Sequence, residues 1–381
     1  MQVFDAVATR AALPFDRLVP ALQQLFASGC EVPARHVHEV ATPAGGHFTS
    51  LIMPAWLPGR YYGIKTINIA PGNAARGLPG LHASYLLFDG VTGVPLAVID
   101  GGELTSRRTA AASALAAGRL ARPDARHLLV VGAGQVARLL PHAMRAVRPI
   151  DRISVWARSA AKAQALAGDW RQQGLPAQAV EDLQAACGEA DIVSCATLAT
   201  APVVRGAWLR PGSHLDLIGS FTPAMREADD DCFAGAALYV DTAEALKKSG
   251  ELLGPLARGV IQAGSVRGTL ADLVRATAAG RGNAQERTVF KSVGTALEDL
   301  AAAILVYEGA AASAARPGSG CGAALTLHLP ERRAAQGFDR LGRFGMAGEQ
   351  HGVRRIHLRL GPGALQDVVQ PEDAFDAVHV A

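Results

Sequence analysis

The 381-residue chain has few aromatic residues, little net charge and no long apolar run. Aromatic side chains make up 5% of it and the formal net charge is +3, which argues against nucleic-acid binding. No apolar run approaches the roughly 20 residues that a membrane-spanning helix needs. The N-terminal stretch "MQVFDAVATRAALPFDRL" lacks the apolar core of a signal peptide. We therefore expect a cytoplasmic protein with neither a nucleic-acid nor a membrane partner.

The five cysteines are odd in number and widely separated. No two of them form a C-x-x-C pair, so neither a disulfide framework nor a zinc site is indicated. Free thiols in a reducing compartment are the simplest interpretation. We predict no metal site from this pattern, whose members are Cys30, Cys187, Cys195, Cys232 and Cys321.

Two rhythms of secondary structure divide the chain. Up to about residue 115, a helical pattern is followed by strand-like segments, among them "HFTSLIMPAW" and "YYGIKTINIA", with Pro-Gly and Asp-Gly turn signals between them. From residue 127, apolar runs such as "HLLVVG" and "RISVWA" alternate with helical stretches. This alternation predicts an α/β fold with a doubly wound parallel sheet.

A glycine-rich turn follows the first of these apolar runs. In "GAGQVA", Gly132 permits a tight turn, Gly134 lets the backbone approach a pyrophosphate, and the small Ala137 lets helix and strand pack closely. Gln135 and Val136 begin the next helix, whose N-terminus would bind the phosphates. The motif predicts a dinucleotide site.

The end of the second apolar run indicates which dinucleotide is bound. NAD sites usually place an acidic residue there for the ribose 2′-hydroxyl, but this chain has Ala157. Arg158 and Ser159 follow, and a guanidinium can pair with a 2′-phosphate. We therefore expect NADP(H) to be preferred over NAD(H).

Several stretches together resemble the ornithine cyclodeaminase/μ-crystallin family, including "PARHV", "GIKTINIAPGNAARGLP", "SRRTAAASALAA", "VVGAGQVA" and "TVFKSVGTALEDLAA". The resemblance covers about residues 1–312. It implies that a Rossmann domain, residues 116–292, is inserted into a second, α+β domain for substrate binding and dimerisation. That second domain would comprise residues 1–115 completed by 293–315. Residues 316–381 are expected to be an accessory or poorly ordered tail, and the protein is expected to be a homodimer.

The resemblance also implies roles for three basic residues. Arg35, Lys65 and Arg108 match substrate-binding positions of the family. An arginine can hold a carboxylate through two parallel hydrogen bonds, and Lys65 could relay a proton, so Lys65 and Arg108 are the expected catalytic residues. His82 is a weaker candidate for reaching the substrate. Further expected cofactor contacts are Thr109, at a helix start, and Thr197, Leu198, Ser220 and Ser292.

One loop departs from the cyclodeaminase pattern. Cyclodeaminases of the family carry an aspartate where this chain has Phe221, and μ-crystallin-like members have one where it has Ala224. Phenylalanine cannot accept a proton or pair with an ammonium group. The loop instead resembles that of the family's imine reductases, which reduce Δ1-pyrroline-2-carboxylate and Δ1-piperideine-2-carboxylate to L-proline and L-pipecolate. We expect this activity, with Phe221 at the substrate.

Three alternatives stay open from the sequence. The first is ornithine cyclodeaminase itself, which uses NAD and converts L-ornithine to L-proline and ammonia. The second is an amino-acid dehydrogenase resembling alanine dehydrogenase. The third is a non-enzymatic binding protein, which the three basic residues disfavour. The sequence does not distinguish a five-membered from a six-membered ring substrate.

Overall fold

The computed structural model describes residues 1–43 and 46–314, which contain two β-sheets of different construction. The tail predicted at 316–381, with Cys321, lies outside the described residues. The other four cysteines are free thiols. In the described part of the chain, no helix is both long and apolar enough to cross a bilayer.

The first sheet has six strands and is mostly antiparallel. Its strand order is β1-β6-β5-β4-β3-β2; β2 to β6 pair antiparallel in sequence order, and β1 pairs parallel with β6. The strand segments predicted between residues 34 and 101 are confirmed, whereas the three-residue β1 was not predicted. The strands are β1 (Gln2–Phe4), β2 (His36–Ala41), β3 (His47–Leu57), β4 (Tyr61–Ile69), β5 (Leu81–Asp89) and β6 (Pro95–Asp100).

The second sheet has eight strands, all parallel, in the order β13-β12-β14-β11-β10-β7-β8-β9. It is the predicted doubly wound sheet, and its central strands are completely buried, as strands covered on both faces should be. The strands are β7 (His127–Val131), β8 (Arg152–Trp156), β9 (Ala177–Ala179), β10 (Ile192–Cys195), β11 (His214–Leu217), β12 (Ala237–Val240), β13 (Val266–Thr269) and β14 (Thr288–Lys291).

Ten α-helices accompany the two sheets in the described residues. They are α1 (Ala6–Ala12), α2 (Phe15–Ser28), α3 (Gly101–Leu120), α4 (Gln135–Arg145), α5 (Ala160–Gln172), α6 (Leu183–Glu189), α7 (Ala245–Lys248), α8 (Gly250–Ala257), α9 (Leu270–Val274) and α10 (Ala296–Ala314).

Helices α3 and α10 connect the sheets to the site described below. Helix α3 follows β6 directly, and most of its alanines are buried, so neighbouring elements approach its backbone closely. Helix α10 contacts α2 and α3 as well as strands β3 and β4 of the first sheet. It begins five residues after β14 of the second sheet. The first turn of α10 therefore lies where elements of both sheets meet.

Candidate functional site

The residues predicted to bind a dinucleotide come mainly from one edge of the second sheet. The carboxyl ends of parallel strands share an edge, and open α/β sheets bind ligands in the crevice outside it. We call this the carboxyl edge. The loops after β7, β8, β10, β11 and β14 reach it, and they contain Gly132, Gly134, Arg158, Ser159, Thr197, Leu198, Ser220, Phe221 and Ser292.

The turn after β7 has the geometry that a phosphate site requires. Gly132 has a φ of 121°, and a Cβ there would lie 2.5 Å from the carbonyl oxygen of Ala196. A Cβ at Gly134 would meet nothing within 4 Å, so this side of the turn is open. Ala137 is completely buried. Gly134 caps helix α4 without a side-chain hydrogen bond, which leaves the N-terminal amides of the helix available to an anion.

The loop after β8 offers a cation and no carboxylate. Ala157 is half-buried, while Arg158 and Ser159 are exposed. The Ser159 hydroxyl caps α5 by accepting from the Lys162 amide at 3.4 Å. Arg158 forms no ion pair with any described residue. Its guanidinium is therefore free to interact with a ligand phosphate.

Four charged side chains form a buried group that we call the ion-pair cluster: Lys65 of β4, Arg108 of α3, and Glu298 and Asp299 of α10. Lys65 Nζ lies 2.6 Å from Asp299 Oδ2. Arg108 donates from Nε to Asp299 Oδ1 at 2.8 Å and from Nη1 to Glu298 Oε2 at 2.6 Å. Among the described residues, Arg108 Nη2 makes no hydrogen bond, so the cluster leaves one donor group of the guanidinium for a ligand.

Burial and mutual charge shift the pKa values in the ion-pair cluster. Burial lowers the pKa of Lys65 to about 8, even though the Asp299 charge opposes the shift. Burial raises the pKa of Glu298 to about 7, against the effect of Arg108. For Asp299, burial acts to raise the pKa, but Arg108 and Lys65 together bring it below its usual value. Two groups of the cluster thus have pKa values shifted towards neutral pH, a feature that is common at functional sites.

Gly294 makes room for Arg108. Its φ is 79°, and a Cβ there would lie 2.6 Å from Arg108 Nη1 and 3.0 Å from Nη2. Asp241, at the end of β12, holds this turn by accepting from the Val293 amide at 2.7 Å and the Gly294 amide at 2.6 Å. The turn between β14 and α10 therefore fixes the face against which the Arg108 guanidinium lies.

We expect Gly294→Ala to lower kcat/KM for the cyclic imine expected from the sequence by about tenfold, because the added methyl group would displace the Arg108 guanidinium by a fraction of an ångström. The matched control is Gly259→Ala. Gly259 also has a left-handed φ, 71°, but open space around it. Both variants should lose a similar amount of thermal stability from backbone strain. Steady-state kinetics beside thermal melts would separate the two effects; equal kcat/KM in the two variants would contradict this role of Gly294.

A small cavity lies beside Arg35. Its volume is about 190 Å³, below the roughly 300–1,000 Å³ typical of pockets for drug-sized ligands. Met53, Thr242, Glu244 and Gly294 contribute to its lining. Burial lowers the pKa of Arg35, and the nearby Arg108 charge lowers it further. Because Gly294 lines this cavity and also lies against Arg108, Arg35 and the ion-pair cluster are neighbours, and the cavity between them has a size suited to a small ligand.

One sequence expectation needs correction. Thr109 is not at a helix start, because α3 begins at Gly101 after its cap Asp100. Thr109 lies more than two turns inside the helix, and its hydroxyl donates to the Thr105 carbonyl at 2.8 Å. Lys65 lies on β4, as the apolar strand pattern around it predicts, and its side chain is completely enclosed.

The remaining predicted residues differ in exposure. Leu198 is 65% exposed and Phe221 47% exposed, so both present apolar surface at the carboxyl edge. Ala224 is exposed in the same loop. Ser220, by contrast, is fully buried, and its hydroxyl donates to the Met225 carbonyl at 2.5 Å. Ser292 is also buried, while His82 is exposed on β5.

Glu298 and Asp299 are the site residues that sequence reasoning did not identify. The signal was "GTALED", two adjacent acids in the first turn of a helix. Acidic residues are common there because they interact favourably with the helix dipole, so the pattern by itself indicates no ligand. The pairing with Lys65 and Arg108 depends on contacts between residues far apart in the sequence.

The chain is similar to known proteins in both sequence and fold. Residues 15–314 match the ornithine cyclodeaminase/mu-crystallin family. A Delta(1)-pyrroline-2-carboxylate reductase of Paracoccus denitrificans is 48% identical over 286 residues, covering 74% of this chain and 88% of the relative. A reductase of the same name from Colwellia psychrerythraea is 35% identical over 313 residues, covering 81% of this chain and 99% of the relative.

Solved structures show the same fold. The Thermococcus litoralis Delta(1)-pyrroline-2-carboxylate reductase in complex with NADH and L-proline has a TM-score of 0.76 and 32% identity, covering 82% of this chain and 98% of that one. An archaeal alanine dehydrogenase dimer with bound NAD has the same TM-score, 0.76, with 29% identity, covering 82% of this chain and 97% of that one. By its sequence and its fold, this chain belongs to the ornithine cyclodeaminase/mu-crystallin family.

Proposed function

We propose that this protein is an oxidoreductase that reduces the C=N bond of a small cyclic imino acid with NADPH. The proposed substrates are Δ1-pyrroline-2-carboxylate and Δ1-piperideine-2-carboxylate, and the products are L-proline and L-pipecolate. The observation that carries the proposal is the ion-pair cluster. It presents a free N–H donor of Arg108 and a lysine of lowered pKa, Lys65, next to a sheet of the dinucleotide-binding type. The relatives with reductase names support it.

The carboxyl edge fits a nicotinamide dinucleotide. The uncapped N-terminus of α4 and the open side of Gly134 suit the pyrophosphate. When bound, the dinucleotide supplies the hydride of the reaction. Gly132, Gly134, Gln135 and Val136 would hold the pyrophosphate end, and the loops with Thr197, Leu198, Ser220 and Ser292 would lie towards the nicotinamide end. Thr109 and its neighbour Arg108 would approach from α3.

Arg108 and Arg35 are proposed to bind the substrate carboxylate. Glu298 and Asp299 occupy Nη1 and Nε of Arg108 and so fix the plane of the guanidinium, with Nη2 left for the ligand. A guanidinium fixed in this way binds a carboxylate with little loss of side-chain entropy. The substrate ring is thereby oriented before the chemical step, which is the main contribution of binding residues to such a reaction.

Lys65 is proposed to hold the proton that the ring nitrogen needs. An iminium accepts hydride better than a neutral imine, so a protonated donor near neutral pH favours the reduction. Lys65 is enclosed, and its Nζ contacts Asp299, whose other oxygen binds Arg108. Asp299 therefore links the buried proton donor to the residue that carries the substrate.

Phe221 and Leu198 are proposed to cover the reacting atoms. Both are exposed in loops of the carboxyl edge, where apolar side chains can exclude water from a bound ring. No acidic side chain stands at position 221 or 224 to handle an amine or the water of a deamination. This disfavours the cyclodeaminase reaction. An open-chain imino acid is the second candidate substrate, because the archaeal alanine dehydrogenase is equally similar in fold.

The test is an absorbance assay of NADPH and NADH oxidation with each cyclic imine. Pyruvate with ammonium would test the open-chain reaction, and ammonia release from ornithine with NAD would test deamination. Loss of NADPH with a cyclic imine and no ammonia from ornithine is the expected result. Ammonia and proline from ornithine would replace the proposal with the cyclodeaminase reaction. The relative rates with the two imines would also decide the preferred ring size.

NADP(H) preference is proposed to depend on Arg158. Arg158→Ala should lower kcat/KM for NADPH about tenfold, the value of one charge-assisted hydrogen bond, and leave kcat/KM for NADH nearly unchanged. Arg126→Ala is the control. Arg126 is also an exposed arginine, but it lies just before β7, away from the carboxyl edge of the second sheet, and it pairs with Asp151. The structural relatives above were solved with NADH or NAD. A wild-type preference for NADH would refute the proposed selectivity.

We propose a homodimer, supported by the dimeric archaeal alanine dehydrogenase. We also propose that residues 1–115 with 293–315 act as the substrate-binding domain and residues 116–292 as the dinucleotide-binding domain. The separate sheets of the two stretches support this division.

A further inference from the structure

A buried carboxylate ties two loops of the carboxyl edge together. Glu227 is completely buried, and its Oε1 accepts from the Thr197 amide at 2.7 Å and from the Thr197 hydroxyl at 2.8 Å. Its Oε2 accepts from the Gly219 amide at 2.6 Å. Thr197 follows β10 and Gly219 follows β11, which are adjacent central strands. One side chain therefore sets the spacing of the two loops.

The position of Glu227 is itself fixed from behind. Glu251, at the start of α8, accepts from the Glu227 amide at 2.7 Å and from the Ala228 amide at 2.8 Å. The buried Lys291 at the end of β14 lies near both carboxylates and donates from Nζ to the Leu217 carbonyl at 3.1 Å. This arrangement holds the Glu227 carboxylate rigidly, as a preorganised site requires.

We propose that Glu227 is a positioning residue that sets the two loops around the nicotinamide end of the bound dinucleotide. The proposal rests on the function proposed above. The residues next to Thr197 and Gly219 are the exposed Leu198 and, two positions on, the exposed Phe221, which present the apolar surface of these loops. A shift of either loop would move that surface relative to the nicotinamide ring. The ribose end, at Arg158 after β8, would be unaffected.

Glu227→Gln tests this role. Both oxygens of Glu227 accept hydrogen bonds from N–H or O–H donors, so the amide group of glutamine must face a donor and release one loop. We expect the Kd for NADPH, measured by fluorescence titration, to rise about tenfold. We expect kcat to fall by about 10- to 100-fold, since small misplacements of reacting atoms are costly. The primary isotope effect with NADPH deuterated at the transferred C4 position should increase. The ratio of kcat/KM for NADPH to kcat/KM for NADH should stay at the wild-type value.

Asp191→Asn is the matched control. Asp191 is also a buried carboxylate that accepts from two backbone N–H groups, those of Arg126 at 2.8 Å and His127 at 2.9 Å, but it precedes β10 and so lies at the opposite edge of the sheet from the two loops. This variant should lose thermal stability while keeping a wild-type isotope effect and a Kd for NADPH within twofold. Equal changes in both variants would overturn the proposal, because the effect would then follow from the loss of stability and not from the position of the two loops.

Two further measurements keep the test decisive. If Glu227→Gln does not fold, Glu227→Asp retains the charge but shortens the reach, and an increased isotope effect is expected there as well; a wild-type value would overturn the proposal. If the wild-type protein reduces no imine, the proposed function fails, but the NADPH titration still tests Glu227. An unchanged Kd in the variant would then overturn the positioning role.

Discussion

Replacing Arg108 with alanine should lower kcat/KM for the cyclic imine by about a thousandfold. Gly294 lines the cavity at Arg35 and lies against the Arg108 guanidinium, whose Nη2 makes no hydrogen bond among the described residues. The variant would therefore lose the proposed contact for the substrate carboxylate. It also leaves Glu298 buried without its cation, and Asp299 paired with Lys65 alone. Removing one partner from a buried ion pair typically costs about 3–5 kcal/mol of stability, so the melting temperature should fall too.

A pair of lysine variants separates binding from stability. Arg108→Lys keeps the charge that the two carboxylates need but loses the planar fork of the guanidinium. We expect kcat/KM to fall about a hundredfold, with a smaller drop in melting temperature than in Arg108→Ala. Arg107→Lys is the control on the same helix: Arg107 stacks on Phe15 and donates to the Leu13 carbonyl, away from the ion-pair cluster. The kcat/KM of Arg107→Lys should stay within about twofold of the wild-type value. Equal kinetics for the two variants would refute the assigned role of Arg108.

The strands of the first sheet were predictable where their pattern was long enough to have a period, and those of the second where a short apolar run alternated with a helical stretch. β3, β4 and β5 have nine or more residues each, and their apolar segments end at clear turn signals. β1 has only three residues, too few for a period. The place of β14 between β11 and β12 was not predictable, because the pairing of parallel strands is decided by contacts distant in sequence.

The candidate site was predictable only in part, for a related reason. Gly132 and Gly134 can be recognised from the local sequence, because a turn that lets a pyrophosphate approach the backbone closely needs glycine. Arg35, Lys65 and Arg108 were identified by family resemblance, since a basic residue by itself is usually a solvated surface charge. The carboxylates that pair with Arg108 and Lys65 come from α10, about 190 and 234 residues away along the chain. Only the fold reveals that Lys65 is enclosed.

The pH dependence of the reaction should reflect the ion-pair cluster. Lys65 is proposed to act in its protonated form, and its pKa is lowered to about 8, so kcat/KM should fall as the pH rises above about 8. Glu298 has a pKa raised to about 7 and holds Arg108 when ionised, so kcat/KM should also fall below about pH 7. The two values belong to coupled groups and describe the cluster together. The wild-type profile should therefore be bell-shaped with a narrow maximum.

Lys65→Met should remove the alkaline side of that bell. Methionine fills nearly the same enclosed volume without a proton to give, and we expect kcat/KM at pH 7 to fall about a hundredfold, within the range for loss of a general acid. Asp299 keeps its bond from Arg108 in this variant, so the acid side of the profile should remain. Lys247→Met, at a lysine that is 75% exposed, is the control and should match wild type. If Lys65→Met kept the wild-type alkaline limb, that limb would belong to the substrate or to another residue, and Lys65 would serve only to neutralise Asp299.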